Sequence, residues 1–196
     1  MSHKEIEIKF RVEERQKLSR QLRQLGFELV TPSTHETNTL YDRPGHPLRK
    51  RGELLRLRKY GNRWTLTHKS KGKAGRHKTR IETETNVTDG RKMEIILRSL
   101  GFTPCFRYEK FRAEWSDEKG HIVVDETPIG DFGEIEGPSR WIEQTARQLR
   151  IPPERYITDN YINLFLRWKK ETRSRAQEMT FHATGRSLPR SSSGNR

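Results

Sequence analysis

Three charged side chains in the run Glu5-Ile6-Glu7-Ile8-Lys9 are spaced to share one face of an extended chain. Successive residues of a β-strand point to opposite sides, so Glu5, Glu7, Lys9 and Arg11 lie on one face and Ile6, Ile8, Phe10 and Val12 on the other. At a rise of about 3.3 Å per residue, the four ionic groups fall within about 20 Å of strand. Such a face is either a solvated sheet surface or the wall of a site for something charged. The same alternation recurs with Arg56 and Arg58; Lys69; Arg80, Glu82 and Glu84; Lys110, Arg112 and Glu114; Asp125; and Glu134 and Glu136. The opposite faces carry Leu55, Leu57, Ile81, Phe111, Val124 and Ile135. An open antiparallel sheet with cross-strand ion pairs would give this pattern on any single strand. A solvent face, however, mixes in Thr, Ser and Gln, and here the alternate sites are almost wholly ionic.

If the strands close with their apolar faces outward, the interior holds about seven carboxylates and at least six cations, and such a lumen must be compensated because unpaired buried charge is costly. The carboxylates are hard oxygen ligands suited to Mg2+ or Mn2+. The Arg and Lys groups offer forked and point-charge partners for phosphate. A metal-bound oligophosphate meets both demands at once.

These faces need strands to carry them and helices to cover the apolar side. Two stretches repeat at an offset of 75 residues: "EIEIKFRV" with "EERQKLSRQLRQLGF", and "TRIETETNV" with "TDGRKMEIILRSLGF". Ile6, Glu7, Val12, Leu22, Leu25, Gly26 and Phe27 match Ile81, Glu82, Val87, Leu97, Leu100, Gly101 and Phe102. Each unit reads as a strand, an amphipathic helix and a terminating Gly, with Thr88 and Asp89 available to cap the second helix. One sheet system built from two related halves is expected. "ELLRLRKY" and "RWTLTHKS" read as a hairpin, as do "FRYEKFRAEW" and "HIVVDETP". "THETNTLYD" and "GEIEG" read as further strands, "RPGHPLRKRG" as a mobile loop, and "PSRWIEQTARQLR" and "TDNYINLFLRWKKE" as helices. From Thr172 the apolar pattern fails, so residues 172–196 are expected to form a disordered basic tail after one domain over 1–171.

Composition narrows the function classes. The 196 residues carry 40 Lys and Arg against 26 Asp and Glu, a net charge of +14, which points to a polyanionic partner. The single Cys105 excludes an intrachain disulfide and suits a reducing cytoplasm. No apolar run approaches the ~20 residues of a membrane span, so a cytoplasmic protein without membrane contact is expected. The His residues lack zinc-ligand spacing, and neither a P-loop nor a dinucleotide-binding glycine motif is present. The tail is expected to solubilise the chain or to touch nucleic acid nonspecifically.

"EIEIK" resembles the ExExK signature of the CYTH superfamily, the triphosphate tunnel metalloenzymes. The similarity continues through "LLRLR", "LTHK", "KTRIETE", "LGFTPCFRYEKFRAEW" and "VVDETPIGDFGEIEG", and it leans towards the class IV adenylyl cyclases. The resemblance implies an α+β fold, with an antiparallel barrel of about eight strands enclosing a tunnel and helices flanking it. It implies Glu5, Glu7, Asp125, Glu134 and Glu136 as ligands of Mg2+ or Mn2+. Lys9, Arg56, Arg58, Lys69, Arg80, Lys110 and Arg112 would bind a triphosphate, Lys9, Arg56, Lys69 and Arg112 being the catalytic ones. Arg80, Glu82 and Glu84 lie on a strand whose roles vary in the family. The implied reaction is ATP to cyclic AMP and pyrophosphate, and related cyclases allow a homodimer. Relatives that hydrolyse tripolyphosphate or thiamine triphosphate supply the alternative. A non-catalytic polyphosphate- or RNA-binding module is a third, disfavoured because a pure anion binder gains nothing from inward carboxylates.

Overall fold

In the computed structural model, which describes residues 2–73 and 75–189, the alternating runs become eight antiparallel strands. They are β1 (Ser2–Arg11), β2 (Glu28–Asp42), β3 (Leu54–Tyr60), β4 (Arg63–Lys69), β5 (Lys78–Val87), β6 (Thr103–Ser116), β7 (His121–Thr127) and β8 (Gly130–Glu136). Their order around a closed barrel is β1-β5-β4-β3-β2-β6-β7-β8. Exchanging β1–β4 with β5–β8 leaves that order unchanged, so the sequence repeat is a two-fold of the barrel. Glu5 pairs in register with Arg80, its own counterpart at the offset of 75. Closure pairs each strand on both sides over part of its length and commits it to one inner and one outer face.

The apolar faces point outward and are roofed by helices. The α1 helix (Arg15–Gln24) and α4 helix (Ser139–Gln148) bring Leu18, Leu22, Trp141, Ile142 and Ala146 onto Ile8, Phe10, Ile122 and Ile135. Full burial of each large aliphatic or aromatic side chain contributes about 1.5–3 kcal/mol. Gly133 is required here, since a Cβ on it would lie 2.2 Å from Phe10 Cζ. The α3 helix (Gly90–Ser99) seats Leu97 and Met93 against Tyr41 and Leu57. Asp89 caps it by accepting from the amides of Arg91 and Lys92, both at 3.0 Å. After α1 and α3 the chain turns at Gly26 (φ 86°) and Gly101 (φ 83°), left-handed positions where glycine carries no Cβ penalty.

Two expectations change. Part of the anticipated mobile loop is a short helix, α2 (Pro47–Lys50), organised by Asp42, whose carboxylate accepts from the amides of Arg43, Leu48 and Arg49 at 2.8, 3.1 and 3.0 Å. The anticipated tail is also ordered as far as residue 189; residues 190–196 lie outside the described ones. After α5 (Tyr161–Thr172) the chain returns beside β6, along the edge before Phe111 that β7 leaves unpaired. There Met179 exchanges backbone hydrogen bonds with Arg107 and Glu109, and a short helix, α6 (Phe181–Thr184), follows. Glu109 accepts from the Phe181 amide at 2.7 Å, and Arg186 Nη2 meets Asp131 Oδ1 at 2.8 Å. Two isolated apolar residues leave no periodicity to read, yet Met179 and Phe181 are buried to 0% and 2% exposure. Truncation after Arg173 therefore strips two buried side chains and lowers stability by roughly 3 kcal/mol or more. A thermal melt checks this, and an unchanged Tm would show that the strap adds nothing.

Candidate active site

All twelve candidate site residues stand on inner-face positions of the barrel. The lumen encloses a cavity of about 240 Å³, walled by β1, β2, β3, β4, β5, β6 and β8 and lined also by Asn160, Tyr161 and Ile162. His68, on the outer face of β4, is exposed, as its alternation with Lys69 requires.

The charges sort into two groups. Around the N-terminal half of β1, Lys69 Nζ lies 2.8 Å from Glu5 Oε1 and also pairs with Glu82. Arg80 Nε meets Glu5 Oε2 at 2.7 Å, and Lys78 Nζ meets Glu7 Oε1 at 3.1 Å. Burial works to raise the pKa of Glu5, but Lys69 and Arg80 hold it far below the usual carboxylate range. Glu7 is likewise held low, burial being opposed chiefly by Lys9. The second group centres on Arg112. Its guanidinium grips Asp125 through Nε (2.7 Å) and Nη2 (2.6 Å), and Nη2 also reaches Glu134 at 2.7 Å. Lys110 Nζ adds a 2.8 Å contact to Asp125, and Lys9 pairs with Glu134. Burial disfavours the charge on Glu134, yet Lys9 and Arg112 hold its pKa well below normal. Across the cavity, Arg58 Nη2 contacts Glu84 at 3.2 Å, and Arg56 stands 3.8 and 3.7 Å from Glu82 and Glu84. Arg56 Nε is buried with no hydrogen-bond partner, leaving a donor available to a ligand oxygen.

Residues outside the expected set complete the lumen. Glu36 and Asn38 of β2 are fully buried, with Glu36 between Lys110 (3.5 Å) and Arg58 (4.0 Å). The odd-even pattern of "HETNTL" holds their signal, diluted by threonines. Lys78 opens β5 one turn of alternation before Arg80, so its parity was readable. Tyr161 had no strand pattern to reveal it. Its hydroxyl donates to Asp125 Oδ2 at 2.7 Å, and its ring lies 4.7 and 4.9 Å from the Lys9 and Lys110 ammoniums. It arrives because Ile157 pairs with the backbone of Lys9, at 2.7 and 3.0 Å, and so delivers the start of α5 to the lumen.

The five carboxylates expected to bind metal do not form one set. Asp125 is enclosed by Lys110, Arg112 and Tyr161, and Glu134 by Lys9 and Arg112. Among the described residues no three acidic, imidazole or thiol groups converge as a preformed metal cage. Glu5, Glu7 and Glu136 nevertheless fit a divalent cation chemically. Glu7 and Glu136 are register partners on β1 and β8, and Glu136 has no salt bridge among the described residues. Burial, then Glu5 and Glu7, push the Glu136 pKa up to about 7, a local excess of negative charge that a hard cation relieves.

The sign of the resulting pH dependence is set by that upward shift. In metal-free protein Glu136 keeps its proton in the fold between its ordinary value of 4.5 and about 7. Its contribution to stability is therefore lost as pH rises through this window, by on the order of 2–3 kcal/mol. Tm measured in EDTA should fall less steeply from pH 5 to pH 8 in Glu136→Gln than in wild type. Parallel curves would refute the shifted carboxyl.

The CYTH domain family matches residues 3–161, most of the chain and every strand of the barrel. The chain belongs to the CYTH family. Over 171 residues it is 25% identical to a Methanocaldococcus jannaschii protein provisionally named adenylate cyclase, covering 82% of this chain and 97% of the relative. A Vibrio parahaemolyticus structure, provisionally described as an adenylate cyclase, shares the fold with a TM-score of 0.73 at 21% identity, over 83% of this chain and 97% of that one. A Hippeastrum structure, described as revealing a dominant triphosphatase activity, has a TM-score of 0.63 at 21% identity, over 83% and 95% of the two chains. The CYTH match ends at Tyr161, so the strap beside β6 lies beyond it. Among the described residues no helix is long and apolar enough to cross a membrane.

Proposed function

We propose that this CYTH protein is a divalent-metal-dependent enzyme that converts ATP to cyclic AMP and pyrophosphate. The observation that carries the reading is charge balance in a closed lumen. Eight cations (Lys9, Arg56, Arg58, Lys69, Lys78, Arg80, Lys110, Arg112) and six carboxylates (Glu5, Glu7, Glu82, Glu84, Glu134, Glu136) line the cavity, and Glu36 and Asp125, fully buried against Lys110 and Arg112, bring the acids level with the cations. A receptor for a bare polyanion would carry surplus cations. A lumen of no net charge suits a triphosphate that arrives with its counter-cations, with carboxylates for the metal and cations for the phosphate oxygens.

In this reading Glu5, Glu7 and Glu136 would hold Mg2+ or Mn2+, with Glu134 beside them. The bound cation would supply Lewis-acid stabilisation of phosphate charge. Arg56, Arg58, Lys69, Lys110 and Arg112 bind the triphosphate and hold its α-phosphorus in line with the ribose 3′-oxygen. The new bond forms between that oxygen and the α-phosphorus, and the bond from the α-phosphorus to the bridging oxygen breaks. Pyrophosphate leaves with the bonding pair, stabilised by Lys9, Arg56, Lys69 and Arg112, and the hydroxyl proton passes to lumen water.

A second reading keeps the tunnel and makes water the nucleophile at a terminal phosphorus; the activity described for the Hippeastrum relative favours it. Product analysis with ATP and tripolyphosphate side by side decides between them. Cyclic AMP with pyrophosphate from ATP supports the cyclase; orthophosphate, with ADP from ATP or with pyrophosphate from tripolyphosphate, supports the hydrolase. EDTA should abolish either reaction and Mg2+ or Mn2+ restore it, and full turnover in metal-free buffer would overturn both.

A further inference from the structure

We infer that an exposed basic lip at one end of β2, β3, β4 and β5, outside the lumen, is a docking surface for the phosphodiester backbone of a nucleic acid, bound without regard to sequence. The inference is independent of the reaction in the lumen. The lumen is level in charge, so the chain's whole net charge of +14 lies elsewhere. It is not spread evenly. The β2–β3 connection, residues 43–53, holds four cations against Glu53 alone, and the β4–β5 connection, residues 70–77, holds three cations and no acid. Because β2, β3, β4 and β5 are antiparallel neighbours, both connections lie at the same end of the barrel. They meet there, since a Cβ on Gly52 would stand 3.2 Å from Lys71 Cγ. At the other end the same strands are entered, joined or left through residues 25–27, 61–62 and 88–89, which hold one acid and no cation.

The lip is held in place by its own backbone. Asp42 fastens α2 through three amides, and Lys73 N donates to Thr79 O at 2.8 Å. Two of its cations are neutralised locally, Arg51 by Glu53 at 2.9 Å and Arg76 by Glu143 at 2.7 Å. Arg49, Lys50, Lys71 and Lys73 are exposed, and among the described residues no acid pairs with them. Unneutralised cations on adjoining segments repel one another, and a polyanion laid across them relieves that repulsion. What the lip lacks identifies the kind of partner. Protein interfaces and membrane-surface contacts are anchored by large apolar side chains. Among the described residues, none of the exposed large hydrophobic side chains falls within either connection. Nucleic-acid interfaces are more polar and far more positive, and separate point charges suit a repeating phosphate better than one compact anion.

The test is fluorescence anisotropy of the full chain with a 3′-fluorescein RNA of about 20 nucleotides bearing a 5′-hydroxyl, which offers the lumen no triphosphate. In about 50 mM KCl the wild type should bind with a Kd of about 10 µM or tighter. Log K should fall with log salt at a slope of about −3, as four phosphate contacts on a single strand require. Arg49→Glu with Lys50→Glu, and separately Lys71→Glu with Lys73→Glu, should each weaken binding at least ~10-fold and make the slope shallower by about 1–2. Lys17→Glu with Arg20→Glu on α1 makes the same change in net charge away from the lip and should weaken binding less than ~3-fold. All six side chains are exposed, so the variants keep the fold, which a thermal melt verifies. A wild type that does not bind the RNA in 50 mM KCl overturns the proposal. Equal weakening by all three pairs overturns it too, since the affinity would then belong to net charge alone. Binding to phosphatidylserine vesicles without binding to RNA would make the lip a membrane contact instead.

Discussion

On the proposed role of Glu7 as a metal ligand, Glu7→Gln should lower turnover at least ~100-fold, because losing one carboxylate ligand would forfeit several kcal/mol of charge stabilisation. The substitution keeps the shape of the side chain and removes only its charge. Glu7 is buried on the inner face of β1, bonded to Lys78 at 3.1 Å. Its depressed pKa means that its ionised form stabilises the fold above the ordinary value of 4.5, with that contribution lost on acidification. The variant should therefore melt somewhat lower at pH 7. Burial already draws the Lys78 pKa down, so Lys78 can shed its proton rather than remain an unpaired cation, which limits the cost to about 1–3 kcal/mol. Ile6→Gln is the control. Ile6 packs outward against the cluster roofed by α1 and α4, so an amide there destabilises by about 1–2 kcal/mol while the folded fraction keeps its turnover. Full activity in Glu7→Gln, or an Ile6→Gln protein that melts normally but is inactive, would mean that the ionic face does no chemistry.

Arg112→Met should abolish turnover and cost about 3–5 kcal/mol, because it leaves buried carboxylates short of their partner. Asp125 loses its two-point grip at 2.7 and 2.6 Å, and Glu134 loses a 2.7 Å contact. Lys9 and Lys110 remain, but an ammonium cannot replace a fork that spans two acids. Arg112→Lys should accordingly fall between wild type and Arg112→Met in both Tm and turnover. The pH trend separates this from a simple packing defect. Glu134 has a depressed pKa in the native protein, so its stabilising contribution is present above the ordinary carboxylate value and lost as pH falls through the lower, folded one. In the variant Glu134 takes up its proton at higher pH, so the Tm difference should be largest near neutrality and shrink on acidification. A gap that stays constant from pH 7 to pH 4 would place the loss in packing and not in charge.

Much of this site is legible along the chain because strand geometry has a period of two. Once Ile6, Ile8 and Phe10 are assigned one face, Glu5, Glu7 and Lys9 must take the other, and the same parity sends Arg56, Arg58, Lys69, Lys110 and Arg112 inward. The repeat at an offset of 75 residues likewise announces two related halves, and Glu5 does pair with its counterpart Arg80. Parity alone leaves open whether the ionic face lies inside or outside. That was decided by closure of β1 onto both β5 and β8, with helices over the apolar side. Only the three-dimensional arrangement separates Asp125 from Glu5, Glu7 and Glu136, since strand register and the reach of Arg112 determine which acid meets which cation. Only it brings Tyr161 to the lumen, through a single backbone bridge at Ile157 that has no side-chain signature. The strap beside β6 was hidden for a related reason. A helix or strand repeats its apolar residues and can be read from that rhythm, whereas Met179 and Phe181 are two isolated contacts whose burial depends on a surface contributed by residues some seventy positions earlier.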